Sequence, residues 1–253
     1  MALLLVLLIA MLVAGSIYHF SVQWLPALAA AQPAFNDKHF QWNLILFGTV
    51  FAVTHIILAV VVWRNRNREA NDARGSLRVE AAWACLAAAL FFGVNAVGTH
   101  LPHHGSAEPN LVRIEVTGVQ FRWYFRYPGP DGKFGRTAAK LVDASEGNPL
   151  GLDHADPDAK DDVVSRVLNV PADQPVEIDL RAHDVIHSFF VPELRFKQDA
   201  VPGMDIPVRF TANRLGTYDV ACAELCGLGH YAMNAKLRVL SPTEYDRWLR
   251  EAK

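Results

Sequence analysis

The chain has 253 residues and carries 24 Lys and Arg against 26 Asp and Glu, a formal net charge of −2. That near balance excludes a polybasic nucleic-acid binder held by phosphate neutralisation. A composition that is 51% hydrophobic and 20% charged excludes a disordered or collagen-like chain, three cysteines are too few for a disulfide scaffold, and no long repeat period is visible.

The opening run, MALLLVLLIAMLVAGSIYHF, is apolar over a length able to span a bilayer. No Lys or Arg precedes it, so the basic start of a signal peptide is missing, whereas ALAAAQ downstream offers the small residues a signal peptidase accepts. Polar Tyr18 and His19, then Trp24 and Pro26, read as an interfacial landing. Residues 1–30 are therefore assigned as an extra transmembrane helix, with a cleaved signal as the alternative. Trp42 to Trp63 is a second apolar run; as a helix it covers about 33 Å, close to the hydrocarbon thickness, with tryptophan at both interfaces. The loop that follows holds Arg64, Arg66, Arg68, Arg74 and Arg78 against Glu69 and Asp72, the charge bias of a cytoplasmic turn. Val79 to Thr99 then returns the chain, so residues 40–100 form a membrane hairpin with the C-terminal domain outside the cytoplasm. His55, Cys85 and Asn95 lie within these runs; membrane polar groups are functional candidates by default, but lone ones most often face a neighbouring helix, and they are read as packing residues. Glu80 opens the last run on the arginine-rich side, either as an interfacial carboxylate near Arg78 or as a proton-collecting group at a partner's channel mouth; spacing favours the former.

THLPHHGS is a linker. Residues 105–240 then alternate in short β-branched or aromatic runs, LVRIEVTG, VQFRWYFRY, SRVLNV, VEIDLR, DVIHSFFV, IPVRF, TYDVA and AKLRVL, separated by turns such as PGPDG and VPGM. Such a pattern predicts an all-β Greek-key sandwich or small barrel. Ser241, Pro242 and Glu244 form an N-cap, first-turn proline and capping partner for a terminal helix over 241–253. Residues 143–162, DASEGNPLGLDHADPDAKDD, are acidic and turn-rich: a solvated loop by default, or a docking face for a basic soluble partner.

The densest set of ligating residues is CAELCGLGHYAM, with Cys222, Cys226, His230 and Met233, and Glu224 between the cysteines. Gly227 and Gly229 and the flanking strand-like runs place it on a loop. A Cys222–Cys226 disulfide leaves His230 and Met233 unexplained. Structural zinc would use both cysteines, His230 and a distant His, with no use for a thioether. A single blue copper wants two His, one Cys and an axial Met, leaving a cysteine over. Two coppers bridged by two thiolates, each with a terminal His and a weak axial ligand, account for every residue and are preferred. A second histidine must then come from RAHDVIHSFFVPEL. In a strand His183 and His187 share a face, but His187 sits in the apolar run and would be costly to bury unpartnered, so it is the chosen ligand.

DVIHSF, KQDAVPG and CAELCGLGHYAM, in that order behind a membrane hairpin, resemble subunit II of the haem–copper oxidases, the cytochrome c oxidase type. The resemblance covers nearly the whole chain and implies a cupredoxin-like domain with a dinuclear CuA centre on the periplasmic side of a bacterial-type inner membrane. It implies Cys222 and Cys226 as bridging thiolates, His187 and His230 as terminal imidazoles, Met233 as the axial ligand of one copper and the Glu224 backbone carbonyl as that of the other. The Glu224 side chain would reach a magnesium ion shared with subunit I. Glu80 falls where the family has a carboxylate near a proton-uptake channel, and Asp199 where it has one near the subunit interface. The implied partners are subunit I and the other oxidase subunits, with cytochrome c as donor, haem in subunit I as acceptor, and oxygen reduction and proton pumping in that partner. The resemblance also has departures. The family's aromatic patch usually reads Gln-Trp-Tyr-Trp, its first Trp taking the electron; here the run is Gln120, Phe121, Arg122, Trp123, leaving Phe121 or Trp123 as the entry residue. No CxxCH occurs, and every copper ligand is present, which disfavours a quinol donor. The competing readings are a membrane-anchored copper carrier or chaperone, which needs neither Met233 nor Glu224, nitrous oxide reductase, which needs a further large domain, and a zinc-stabilised interaction module.

Overall fold

The computed structural model describes residues 25–30, 33–67, 75–99 and 111–252, with the isolated positions 11, 14, 15 and 18. Most of the expected extra helix over 1–30, the centre of the arginine-rich loop and the linker before the sandwich lie outside the described residues. The described chain divides into a helical unit and a β unit.

In the helical unit, α1 runs Pro33–Asn65 and α2 runs Leu77–Thr99. Asp37–Asn65 and Leu77–Val97 are long and apolar enough to cross a membrane, and their side chains are not buried within the protein. A helix apolar all round and unburied is suited to lipid. Four polar side chains of these helices are satisfied within their own helix: Thr49, Thr54, His55 and Asn95 each bond the carbonyl four residues earlier, at 2.7, 2.7, 2.8 and 2.8 Å. In hydrocarbon this removes the cost of an unpaired polar group. Glu80 lies in the first turn of α2.

In the β unit the described strands form a cupredoxin-like sandwich of two five-stranded sheets. The first contains β1 (Val112–Val119), β2 (Arg122–Tyr127), β3 (Val163–Ser165), β5 (Pro175–Ala182) and β8 (Ile206–Thr211), in the order β3-β2-β1-β5-β8. The second contains β4 (Val167–Pro171), β6 (His187–Val191), β7 (Phe196–Ala200), β9 (Gly216–Cys222) and β10 (Asn234–Leu240), in the order β4-β10-β9-β6-β7. The β1/β5 and β4/β10 pairs are parallel and the others antiparallel. Alternation drives the packing: on β10, Ala235, Leu237 and Val239 face in while Lys236 and Arg238 face out. They meet Ile114, Val116, Trp123, Phe125, Ile178, Leu180 and Phe189, all fully buried. Each such side chain contributes about 1.5–3 kcal/mol.

On β1 the other face is covered as well. Residues Ile114–Gly118 are buried without a break, because Glu115 pairs there with Arg126 and Arg181, both at 2.9 Å. Arg126 also pairs with Asp162 and donates to the Gly135 carbonyl. The acidic segment 143–162 supplies much of this cover. Leu150, Leu152 and Ala159 make a small core with Tyr124, and Asp153 and Asp156 hold Arg136 at 3.3 and 3.1 Å. Asp143 caps its own turn through Ser145 and Glu146. The segment is thus a folded flap in which Asp153, Asp156 and Asp162 pair with arginines from elsewhere in the chain.

The terminal helix α3, Pro242–Glu251, starts on a complete capping box. The Ser241 hydroxyl accepts from the Glu244 N–H and the Glu244 carboxylate accepts from the Ser241 N–H. The Ser241 hydroxyl and main chain hold the Glu244 carboxyl below its ordinary range. Tyr245 and Trp248 of α3 pack on the sandwich, the Trp248 ring 4.8 Å from that of Tyr127. A short segment ahead of α1 is part of the same unit: Ala29 is fully buried, its N–H donates to the Glu193 carbonyl at 2.9 Å, and its carbonyl accepts from Asn213 and Arg214 at 2.9 and 3.2 Å.

Candidate metal centre

The antiparallel β6/β9 pair sets Phe189 opposite Cys222. This brings His187, the first residue of β6, and Cys222, the last of β9, to one end of the second sheet. The chain leaving β9 closes a tight loop before β10 begins. A 3-10 turn over His230–Ala232 and the Cys222 N–H to Met233 carbonyl bond, 3.1 Å, return it beside its start. The Ala223 N–H bonds the Ser188 carbonyl at 2.9 Å and ties the loop to β6.

Among the described residues, the ligand atoms of His187, Cys222 and Cys226 all lie within 4.8 Å of one another, and all three residues are buried. The two sulfurs are 3.9 Å apart, and both cysteines are free thiols. Each has its own imidazole: His187 Nδ1 lies 3.9 Å from Cys222 Sγ, and His230 Nδ1 lies 3.7 Å from Cys226 Sγ. Each also has one weaker donor, the Glu224 carbonyl 3.2 Å from Cys222 Sγ and the Met233 thioether 3.6 Å from Cys226 Sγ. Met233 is only 2% exposed, so its sulfur is placed in the cluster rather than left in water. Burial, then the neighbouring Cys222, push the Cys226 thiol up to about 11; a metal entering here must displace its proton. Two thiols, two imidazoles, a thioether and a carbonyl form a soft donor set that fits copper and leaves zinc with a surplus sulfur.

The surroundings are closely fitted. Trp123 is fully buried with its ring centre 5.8 Å from that of His187. A Cβ at Gly118 would lie 2.8 Å from the His187 ring and 3.1 Å from Trp123, so only glycine lets the imidazole approach. Phe121 is half-buried and lies across the metal loop, where a Cβ at Gly229 would come within 2.4 Å of its ring. Gln120 donates through its side chain to the Cys226 carbonyl and through its main chain to Asp184 Oδ2 at 2.7 Å. Asp184 Oδ1 in turn faces His187 Nε2 at 2.8 Å. Burial raises the Asp184 carboxyl, but the N–H groups of Gln120 and Val185 and the His187 ring together hold it below its ordinary range. His183 is exposed, its main-chain N–H on the Gly118 carbonyl.

Of the residues singled out in the sequence, Cys222, Cys226, His187, His230, Met233 and the Glu224 carbonyl meet at this cluster. The Glu224 side chain is exposed, Trp123 backs His187 from the core side and Phe121 covers the loop. Glu80 belongs to the helical unit and Asp199 to β7, where the Ser188 hydroxyl and Lys197 lower its carboxyl. Sequence reasoning missed Gln120 and Asp184 as supports; a carboxylate three residues before a ligand histidine, at a chain corner, is the signal that marks the latter.

The chain is similar to known proteins over most of its length. Residues 112–239 match the family described as cytochrome c oxidase subunit II, periplasmic domain. The chain is 35% identical to the alternative cytochrome c oxidase subunit 2 of Bradyrhizobium diazoefficiens over 98% of this chain and 92% of that one. It is 29% identical to cytochrome c oxidase subunit 2 of Thermostichus vulcanus over 90% and 78%. Among solved structures, the periplasmic domain of subunit II of cytochrome oxidase of Bradyrhizobium japonicum aligns with a TM-score of 0.42 at 28% identity, covering 58% of this chain and 95% of that one. With a periplasmic-domain match over the sandwich, two candidate membrane spans before it, and a His187, Cys222, Cys226 and Met233 site consistent with copper binding, the chain belongs to the cytochrome c oxidase subunit II family and is subunit II of a haem–copper oxidase.

Proposed function

We propose that the chain holds a dinuclear CuA-type centre and is the electron-entry subunit of its oxidase, taking electrons from reduced cytochrome c and passing them to haem in subunit I. The observation that carries this reading is the paired geometry: two sulfurs 3.9 Å apart, each with a private imidazole and a private weak donor. A one-metal site has no use for that duplication. When bound, a copper pair supplies one-electron exchange shared over two nuclei. The protein's part is to keep that exchange from disturbing the ligands. Cys222 and His187 sit on strand ends of a packed sandwich, and Cys226 and Met233 are held by a loop bonded back to β6 and β9. Burial of both cysteines and Met233 excludes water, so little solvent rearranges when charge arrives.

Electron entry is assigned to Phe121 rather than Trp123, because Phe121 reaches both the surface and the metal loop while Trp123 is sealed in the core. Phe121→Ala should slow oxidation of reduced cytochrome c by the assembled oxidase about tenfold, the weight of an aromatic contact residue, with copper content unchanged. An unaltered rate would remove Phe121 from the path. In the same reading Glu80 serves proton uptake at the mouth of a channel in subunit I, and the exposed Glu224 carboxylate contributes to a magnesium site shared with that subunit.

The deciding measurement is metal content with resonance spectroscopy on the purified full-length chain loaded with copper. Two copper equivalents per chain and a signal split equally by two nuclei are expected. One equivalent with a blue single-copper spectrum, or preferential retention of zinc, would overturn the proposal.

A further inference from the structure

Gln120 stands at the corner between β1 and β2, outside the metal loop and outside β6, yet it is bonded to both. Its side-chain amide donates to the Cys226 carbonyl. Its main-chain N–H donates to Asp184 Oδ2 at 2.7 Å, and the other oxygen of that carboxylate accepts from the Val185 N–H and faces His187 Nε2, each at 2.8 Å. The result is a continuous polar chain, Cys226 carbonyl to Gln120 to Asp184 to His187, that runs around the cluster without passing through any ligand atom. We infer that Gln120 and Asp184 form a metal-independent clasp that presets the ligand His187 and the Cys226 turn before copper arrives.

The chemistry of each link supports this role. A carboxylate accepts and cannot donate, so Asp184 fixes the His187 proton on Nε2 and leaves the Nδ1 lone pair facing Cys222 Sγ, 3.9 Å away. Deprotonated Nδ1 is the form a metal requires, and an acceptor behind a ligand imidazole both orients the ring and makes it a stronger donor. Asp184 is itself held by two main-chain N–H groups. The side of the cluster at Cys226 has no strand to hold it, because the loop there passes through Gly227 and Gly229. A Cβ at Gly227 would lie 2.9 Å from the Gln120 amide nitrogen, and the φ of +131° there favours glycine in its own right. The clasp also treats the two imidazoles differently. His187 is fully buried and anchored, whereas His230 is half-buried at the rim. The same corner presents Phe121, the proposed entry residue, so the point of electron arrival and both metal-holding segments share one rigid support.

This inference rests on the copper reading for its purpose, but the clasp is testable without metal. Two isosteric variants separate its arms. Asp184→Asn keeps the shape but replaces one acceptor oxygen with a donor group. Gln120→Glu replaces the donor to the Cys226 carbonyl with an acceptor. In the metal-free full-length chain labelled with 15N-histidine, His187 should be a single Nε2–H tautomer. Asp184→Asn should give a tautomer mixture at His187 with His230 unchanged, and Gln120→Glu should speed amide exchange at Gly227 while leaving the His187 tautomer alone. On addition of copper(I) alone, either variant should bind about 10- to 100-fold more weakly than the parent, as for other supports behind metal ligands. An unchanged tautomer in Asp184→Asn, or unchanged Gly227 exchange in Gln120→Glu, would overturn the clasp whatever metal the parent retains. A parent that passes these metal-free tests but fails to take two coppers would instead sink the copper reading.

Discussion

His187→Ala is expected to abolish copper binding at the paired site and with it oxidation of cytochrome c, whereas His183→Ala leaves both intact. His187 is fully buried, its Nδ1 faces Cys222 Sγ and its Nε2 faces Asp184. Truncation removes one imidazole of the pair, leaves the Asp184 carboxylate without its ring partner and opens a void beside Trp123. A lost ligand and a lost hydrogen bond act together, so copper retention after dialysis should fall by at least a hundredfold, beyond the range for a support residue. The void adds a stability loss of about 2 kcal/mol, small enough for the chain to fold. His183 lies on the exposed corner, and its structural bond is a main-chain one that survives substitution. Metal content of the two purified variants decides the matter; copper kept by His187→Ala and lost by His183→Ala would reassign the ligand.

The largest effect on stability is expected away from the cluster, from Arg126→Met. The Arg126 side chain is 1% exposed and that of Asp162 is fully buried; the pair is completed by Glu115 and by the Gly135 carbonyl. Removing the cation strands the buried Asp162 carboxylate and leaves Glu115 with Arg181 alone, a loss of about 3–5 kcal/mol, and releases the acidic flap from β2. Arg113→Met is the control. Arg113 also bridges two acidic groups, Glu177 and Asp179, but its side chain is 56% exposed, so the change should stay below about 1 kcal/mol. Thermal unfolding of the purified chain reads both. Equal melting temperatures for the two variants would show that the buried network contributes nothing specific. The same geometry predicts that neutralising Asp162 perturbs folding rather than docking.

The cluster was readable in the sequence because most of it is local. Cys222, Glu224, Cys226, His230 and Met233 fall within one turn of chain, and their donor chemistry narrows the metal before any fold is known. The choice of His187 rested on burial cost, and the structure adds a reason that strand geometry could not supply: His183 to Ile186 form a corner and only His187 enters β6, so the two histidines never share a strand face. Eight of the strands follow from alternation. The two that do not, β3 and β7, each lie at one of the two edges of their sheet, opposite β8 and β4. An outer strand is fixed by main-chain pairing along one side and needs little apolar patterning, which is why FKQDA carries no visible signal. The acidic flap misled for a related reason. Its composition matches a solvated loop, and the cations it meets, Arg126 and Arg136, come from elsewhere in the chain. Phe121 and Trp123, two residues apart, were indistinguishable until the β1–β2 corner placed one over the metal loop and the other in the core.

The burial of Ala29 bears on how this protein is dissected. A soluble fragment begun after the membrane hairpin would keep all ten described strands but lose the peptide that the Asn213 and Arg214 N–H groups and the Glu193 carbonyl engage. Water would then enter a seam that the intact polypeptide seals, at roughly 1 kcal/mol for each bond forfeited. An excised domain is therefore a weakened stand-in for the native unit, and grafting residues 27–30 back through a short tether is the direct way to restore it.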